Sequence, residues 1–296
     1  MVNGIVIERK NMEKEKVGII GCGKCGSFFA LLLARHGCEV KVGDPKKPPF
    51  VAPANWCSNE EVVKWADVVL FATPLKTTPQ IIASLGHLSR EEQLWLDCAS
   101  VKRALVAALL ETMAEVASIH HLCAPPRTAP TLSGFRVVVC RPRMKQWTTW
   151  FNGLLVALQG EIIEESSAEH DEAVAPSQAF LHAAALVTVL TLLEACKTGV
   201  GCEKILKHET PPFEVFRVLA GRILGNDPNL LASIQTENAN NLIPLLMDMR
   251  DHLGTLIGLV ADGRDDEVSA LFRTAAKCKV LAPERFGEMH AVLRKS

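Results

Sequence analysis

The chain has 296 residues, enough for one large domain or two ordinary ones, and 48% of them are apolar, which is ample for packed cores. Its formal charge of −1 and pI near 6.8 leave no basic footprint for nucleic acid. The ten cysteines are scattered without the paired spacing of a zinc site, so reduced thiols, a cytoplasmic protein and no bound metal are expected.

Residues 1–14 are charged and lack the apolar core of a signal peptide, and read as a flexible extension. A buried strand at 17–20 then runs into Gly21-Cys-Gly23-Lys24-Cys25-Gly26, a G-x-G-x-x-G, followed by a helix over 24–36 and a second apolar strand at 39–43. Asp44 closes that strand, 23 residues after Gly21. Strand, glycines, helix, strand and acid in this order form a dinucleotide-binding fingerprint. Gly21 permits the tight turn, Gly23 lets a pyrophosphate approach the backbone, and Gly26 lets the helix pack closely on the strand. The amides of the helix start at Lys24 and Cys25 face the phosphates, where the helix dipole favours negative charge. A carboxylate at Asp44 would hold ribose hydroxyls and repel a 2′-phosphate. That points to NAD, with Lys46 and Lys47 leaving NADP open. Cys22 and Cys25 form a C-x-x-C inside the fingerprint and read as small residues filling a turn.

Further strands are predicted at 67–72, 93–97, 116–120, 135–140 and 160–164, with amphipathic segments at 58–65, 77–85, 101–114 and 144–158. This alternation predicts an α/β fold, a Rossmann-type doubly wound sheet over residues 15–165. From 166 to 296 strand signals nearly vanish and helices are expected at 169–199, 201–207, 213–225, 228–262, 264–279 and 283–293, with Asp227-Pro228 and Gly263 as punctuation. The run Ala183 to Leu193 is strongly apolar but too short to span a bilayer, so no membrane is expected. A helix apolar on every face is buried, and in a small helical domain that calls for a second subunit. The second half is therefore expected to be an all-α dimerisation domain that makes the protein a homodimer.

In a doubly wound sheet, ligands bind beyond the C-terminal strand ends. Thr73-Pro74 would flank the cofactor there. Asp97-x-x-Ser100-Val-Lys102 and His120-His121 follow two further strands, and Glu169-His170-Asp171 with His182 enter from the helical half. Twelve residues separate His170 from His182, placing them within roughly 120° on one helix. Ser100 can also cap the helix beginning at Val101.

These motifs resemble the prephenate and arogenate dehydrogenases of tyrosine biosynthesis, from about Val17 to the C-terminus. The resemblance implies an oxidoreductase that transfers hydride from a cyclohexadienyl carboxylate to NAD as the ring loses CO2. It further implies His120 as the catalytic histidine, Ser100 as orienting the substrate hydroxyl or the imidazole, Arg222 as a carboxylate clamp, and Lys102 and His182 as further donors to the substrate. Neither a chorismate mutase segment before the fingerprint nor a regulatory extension after the helical half is expected. One loop departs from the family. Where His-Pro-Met-x-Gly-Pro is usual, this chain has His120-His121-Leu122-Cys123-Ala124-Pro125, followed by a longer stretch with an extra cation, Arg127, as a substrate-binding candidate. That departure bears on substrate identity and leaves His121 as the alternative to His120. It also keeps open a relative acting on an amino-substituted prephenate analogue and a non-catalytic dinucleotide-binding homologue. A different two-domain dehydrogenase with a helical second half is opposed by the Ser-Val-Lys and Glu-His-Asp motifs.

Overall fold

The computed structural model describes residues 15–52, 55–125, 131–199 and 201–278. They form two compact units. The first comprises the chain up to Ala173 together with Ala232–Glu237, and the second Val174–Leu231 with the chain from Asn238 onward. The expected extension 1–14, the helix at 283–293 and Arg127 lie outside the described residues.

The first unit is a seven-stranded sheet in the order β2-β1-β3-β4-β5-β6-β7. The strands are β1 (Lys16–Ile20), β2 (Glu39–Gly43), β3 (Val68–Phe71), β4 (Leu94–Asp97), β5 (Glu115–His121), β6 (Arg136–Arg143) and β7 (Glu161–Glu164). All neighbours pair in parallel except β5 with β6. Its interior strands are buried on both faces, which is why they read as unbroken apolar runs. Helices α1 (Lys24–Arg35) and α5 (Thr148–Leu158) pack together on one face, with Phe29, Leu33, Phe151 and Leu158 against Ile19, Leu70, Leu96 and Ile119. Helices α2 (Asn59–Trp65), α3 (Thr78–Leu85) and α4 (Arg103–Leu110) pack against one another. Because β1 lies between β2 and β3, the chain reverses direction across the sheet there. This opens the crevice in which such folds bind ligands.

Two helix starts depend on distant acids. Helix α5 begins later than the expected residue 144, because the carboxylate of Glu115 on β5 accepts from the amides of Lys145, Gln146 and Trp147. Helix α4 begins at Arg103 rather than Val101, so Ser100 does not cap it. The amides of Lys102 and Arg103 instead donate to Asp171. Asp171 lies on α6 (Ser167–Val174), whose own start is a Ser166–Glu169 capping box.

The second unit is helical. After α6 the chain passes through a π-helical turn, Ala175–Ala179, which contains Pro176 and interrupts the single helix expected over 169–199. There follow α7 (Phe180–Lys197), α8 (Cys202–Lys207), α9 (Pro211–Leu224), α10 (Pro228–Glu237), α11 (Ala239–Ala261) and α12 (Asp265–Ala276). Asp227 caps α10 by accepting from the Asn229 amide, and Gly263, at φ +66°, follows the end of α11. A small core of Ala185, Ala220 and Ile223 joins α7 to α9. Most of the apolar surface of α7 remains exposed, including Leu186, Val187, Leu190 and Leu193.

Two expectations are corrected here. Cys196 and Cys202 are joined in a disulfide across the α7–α8 connection, so the thiols are not all reduced. The run Ser167–Lys197, taken as one helical stretch, is also long and apolar enough to cross a bilayer by length and composition. The shorter span Ala183 to Leu193 understated it.

Candidate active site

The glycine turn has the shape the fingerprint requires. Gly21 adopts φ +88°, a conformation few L-residues tolerate, and its amide donates to the Gly43 carbonyl at 2.7 Å. A Cβ at Gly26 would collide with the Gly21 carbonyl oxygen, so only glycine brings α1 this close. A Cβ at Gly23 would meet nothing within 4 Å, so this side of the turn faces open space. Asp44 accepts from the Cys22 amide at 2.7 Å and the Lys46 amide at 2.8 Å, which fixes its carboxylate beside the turn. Thr73, bonded to Thr78 at 2.8 Å, and Pro74 follow β3 next to the glycines. Lys24 is exposed and Cys25 half-buried at the start of α1. An open backbone face, a helix start without a side-chain cap and a carboxylate held at the end of β2 fit a dinucleotide.

A buried polar network lies at the C-terminal ends of β4 and β5. Lys102 is 0% exposed, and its Nζ donates to Asp97 Oδ1 at 2.8 Å and to the Ile119 carbonyl at 2.7 Å. Asp97 also accepts from the Ala99 amide and from Ser118 Oγ. Every charge is therefore matched, as a buried ion pair demands. This corrects the expectation that Lys102 points a donor at substrate. Its ammonium is spent inside the protein, pinning β5 one residue before His120.

His120 is 2% exposed, and its Nδ1 lies 2.8 Å from Nε2 of His170. His170, fully buried, places its own Nδ1 2.8 Å from Asp171 Oδ1. A carboxylate only accepts, so His170 Nδ1 carries the proton. In the tautomer that carries only this proton, His170 Nε2 accepts in turn and His120 Nδ1 donates. The order Asp171, His170, His120 therefore leaves Nε2 of His120 with a lone pair, and no described residue engages it. Burial first, and then the surrounding positive charge of Lys102 and His121, hold the His120 pKa well below its usual value, so the ring is neutral.

His121 points elsewhere, with Nδ1 donating to the Cys123 carbonyl at 2.7 Å and its ring 6.4 Å from that of Phe29 on α1. Ser100 is half-buried in the β4–α4 loop, two residues before Lys102. His182 and Arg222 belong to the second unit. His182 is half-buried on α7 with Nδ1 buried and unpartnered, and burial lowers its pKa. Arg222 is exposed on α9, without an ion pair among the described residues. The sequence pointed to His170 and Asp171 as a stretch but not to their roles, which depend on contacts to residues 50 and 69 positions away.

Comparisons with known proteins bear on the two halves of the chain and on its fold. Residues 166–274 match the family model described as prephenate dehydrogenase, dimerization domain, and residues 4–90 match that of D-isomer specific 2-hydroxyacid dehydrogenase, NAD binding domain. The T-protein of Enterobacter agglomerans is 28% identical over 85% of this chain and 64% of its own length. A probable arogenate/prephenate dehydrogenase of Methanocaldococcus jannaschii is 29% identical over 74% of this chain and 50% of its own. The chain thus spans between half and two thirds of these relatives. Among solved structures, prephenate dehydrogenase from A. aeolicus in complex with hydroxyphenyl propionate and NAD+ superposes with a TM-score of 0.70 at 21% identity, covering 91% of this chain and 99% of that one. That likeness is one of fold. The helical half is thus similar to the prephenate dehydrogenase dimerization domain, the relatives carry the likeness over most of the chain, and the solved structure shares the fold.

Proposed function

We propose that this protein is an NAD-dependent dehydrogenase that oxidatively decarboxylates prephenate to 4-hydroxyphenylpyruvate or arogenate to tyrosine. The observation that carries the reading is the Asp171–His170–His120 chain. It supports a neutral imidazole with a free Nε2, in the same unit as the glycine turn.

When bound, the nicotinamide supplies the acceptor for hydride from the carbinol carbon. His120 Nε2 accepts the proton of the substrate hydroxyl as that carbon is oxidised. The imidazolium so formed shares its Nδ1 proton with His170, which Asp171 holds in the accepting tautomer. Loss of the ring carboxylate as CO2 leaves its bonding pair in the ring, which becomes aromatic, and the proton on His120 returns to the phenolate oxygen. Ser100 orients the hydroxyl or the imidazole, and Arg222 and His182 bind the substrate's anionic groups on their match to the family pattern, with Arg127 of the departing loop as an extra cation for them. Gly21, Gly23, Gly26 and Asp44 hold the dinucleotide, the carboxylate favouring NAD over NADP.

A homodimer through the helical half, in a cytoplasmic enzyme, completes the proposal. The match to a dimerization-domain model and the exposed apolar faces of α7 and α11 support it. The test of function is NADH formation from prephenate and from arogenate, with NAD and NADP supplied separately. Turnover of either substrate with NAD is expected. Absence of turnover with both would overturn the reading in favour of a dinucleotide-binding homologue without this chemistry.

A further inference from the structure

The acid that would take the ribose hydroxyls is tied down by its backbone as well as by its carboxylate. Asp44 Oδ2 accepts from the Cys22 amide at 2.7 Å, inside the glycine turn, and Oδ1 accepts from the Lys46 amide at 2.8 Å. A further bond arrives from 12 positions along the chain, where the indole Nε1 of Trp56 donates to the Asp44 carbonyl at 2.9 Å. The backbone makes the same approach. Trp56 forms a parallel bridge to Val42, and the Cys57 amide donates to the Val42 carbonyl at 3.1 Å. Because β2 is an edge strand with β1 on its inner side, these contacts line its outer edge. A large ring, 38% exposed, thus stands beside the end of β2 in the same unit as the glycine turn. Neither the fingerprint nor the proposed chemistry uses it.

We propose that Trp56 is a positioning residue for the adenosine end of the dinucleotide: acting through Asp44, it sets the preference of the turn for NAD over NADP. The proposal rests on the dinucleotide reading above. A carboxylate at this place accepts the ribose hydroxyls of NAD and repels a 2′-phosphate, and it does both only while it stays in place. Asp44 follows an edge strand, so no further strand holds it on the outer side. The indole bond supplies that hold. The Lys46 amide, given to Asp44 Oδ1 in an Asx turn, is also withheld from a phosphate for as long as the Asp44 backbone keeps its direction. With the indole bond removed, the turn loosens, the carboxylate loses its aim, and the exposed Lys46 beside it is able to meet a 2′-phosphate.

The kind of bond sets the size of the effect. One neutral hydrogen bond is worth about three- to tenfold in an equilibrium constant. A bond in which an ionised carboxylate accepts from a ribose hydroxyl is stronger. Loss of the indole N–H therefore weakens NAD less than loss of Asp44 does, and it matters only while Asp44 is present to be positioned. Phenylalanine separates this role from packing, since it keeps an aromatic ring at the outer edge of β2 and has no donor.

The test titrates the full chain with NADH and with NADPH, following nicotinamide fluorescence, in the parent, Trp56→Phe, Trp56→Leu, Asp44→Ala and the double variant Asp44→Ala with Trp56→Phe. Trp56→Phe is expected to raise the Kd for NADH about threefold or more and to narrow the ratio of the NADPH Kd to the NADH Kd by a similar factor. Trp56→Leu, which also lacks the donor, should do the same, and both should melt with the parent. In the Asp44→Ala background, Trp56→Phe should change neither Kd, the signature of one residue acting through another. An unchanged Kd ratio in both Trp56 variants, or an equal loss of NADH affinity with and without Asp44, would overturn the proposal. A parent that binds NADH while the Trp56 variants match it defeats the role of Trp56 alone. A parent that binds neither cofactor defeats the dinucleotide reading, and this proposal with it.

Discussion

The side chain of Asp171 both caps α4 and orients His170: Oδ1 accepts from the Lys102 amide and from His170 Nδ1, each at 2.8 Å, while Oδ2 accepts from Arg103. One carboxylate therefore holds a helix end and orients His170 against His120. His120→Asn should lower kcat by about 100-fold or more, the usual loss for a general base, with NAD affinity unchanged. His170→Asn should cost roughly 10-fold in kcat with KM for substrate preserved, the split expected when a ring that orients the base is lost. Steady-state kinetics and NAD titration of both variants check this. A benign His120→Asn would move the base to His121.

The buried, neutral state of His120 sets a pH dependence. Its folded pKa lies below the unfolded value of about 6.5, so protonation is delayed in the folded enzyme. The acid limb of kcat/KM should therefore fall below pH 6.5. The same shift acts on stability. Its contribution is complete above the unfolded value and is lost as pH falls through the folded one. Rate profiles and thermal melts between pH 4.5 and 8 test both, and an acid limb above pH 6.5 would contradict the burial argument.

The Lys102–Asp97 pair should matter for folding more than for binding. Lys102→Met leaves a buried carboxylate without its cation, and such losses cost about 3–5 kcal/mol. The expected drop in Tm is on the order of 10 °C. A melt unchanged within a degree or two would show that the ammonium is dispensable and return Lys102 to the substrate.

Two glycines should separate folding from cofactor binding. Gly26→Ala drives a methyl into the Gly21 carbonyl and should lower Tm as well as NAD affinity. Gly23→Ala meets no protein atom and should melt like the parent, yet weaken NAD about tenfold or more because its methyl fills space the pyrophosphate needs. Parallel melts and NAD titrations distinguish the pair.

The apolar surface of α7 tests the dimer. Leu190, 51% exposed, sits among Leu186, Val187 and Leu193. Leu190→Glu should shift light-scattering mass from dimer toward monomer. A parent that is already monomeric would remove the interface.

Much of the fold was legible because its signals are local. Val68–Phe71 and Leu94–Asp97 are wholly buried and read as short apolar runs, and Asp227-Pro228 marks the start of a helix in both sequence and structure. The misjudged boundaries have non-local causes. Asp171 delays α4 and Glu115 delays α5, each across dozens of residues. The π turn at Pro176 keeps the helical hydrophobic pattern while changing its register, so the sequence reads as one helix. The site divides in the same way. Gly21 to Asp44 is a contiguous motif, whereas the partnership of His120 with His170 exists only once β5 and α6 are brought together. Lys102 shows the limit of reading by type, since a lysine at a strand end suggests a ligand and here serves as a rivet.

The capping of α4 by Asp171 also limits how far the chain can be divided. A fragment cut after Glu165 would retain all seven strands and the whole glycine turn, and by sequence alone it is a complete nucleotide-binding module. It would nonetheless lack the acid that closes α4 and the imidazole that receives the His120 proton. Such a piece could hold a dinucleotide yet be silent in turnover. In the proposed reaction, chemical competence begins beyond the last strand, with the first turn of the helix that follows it.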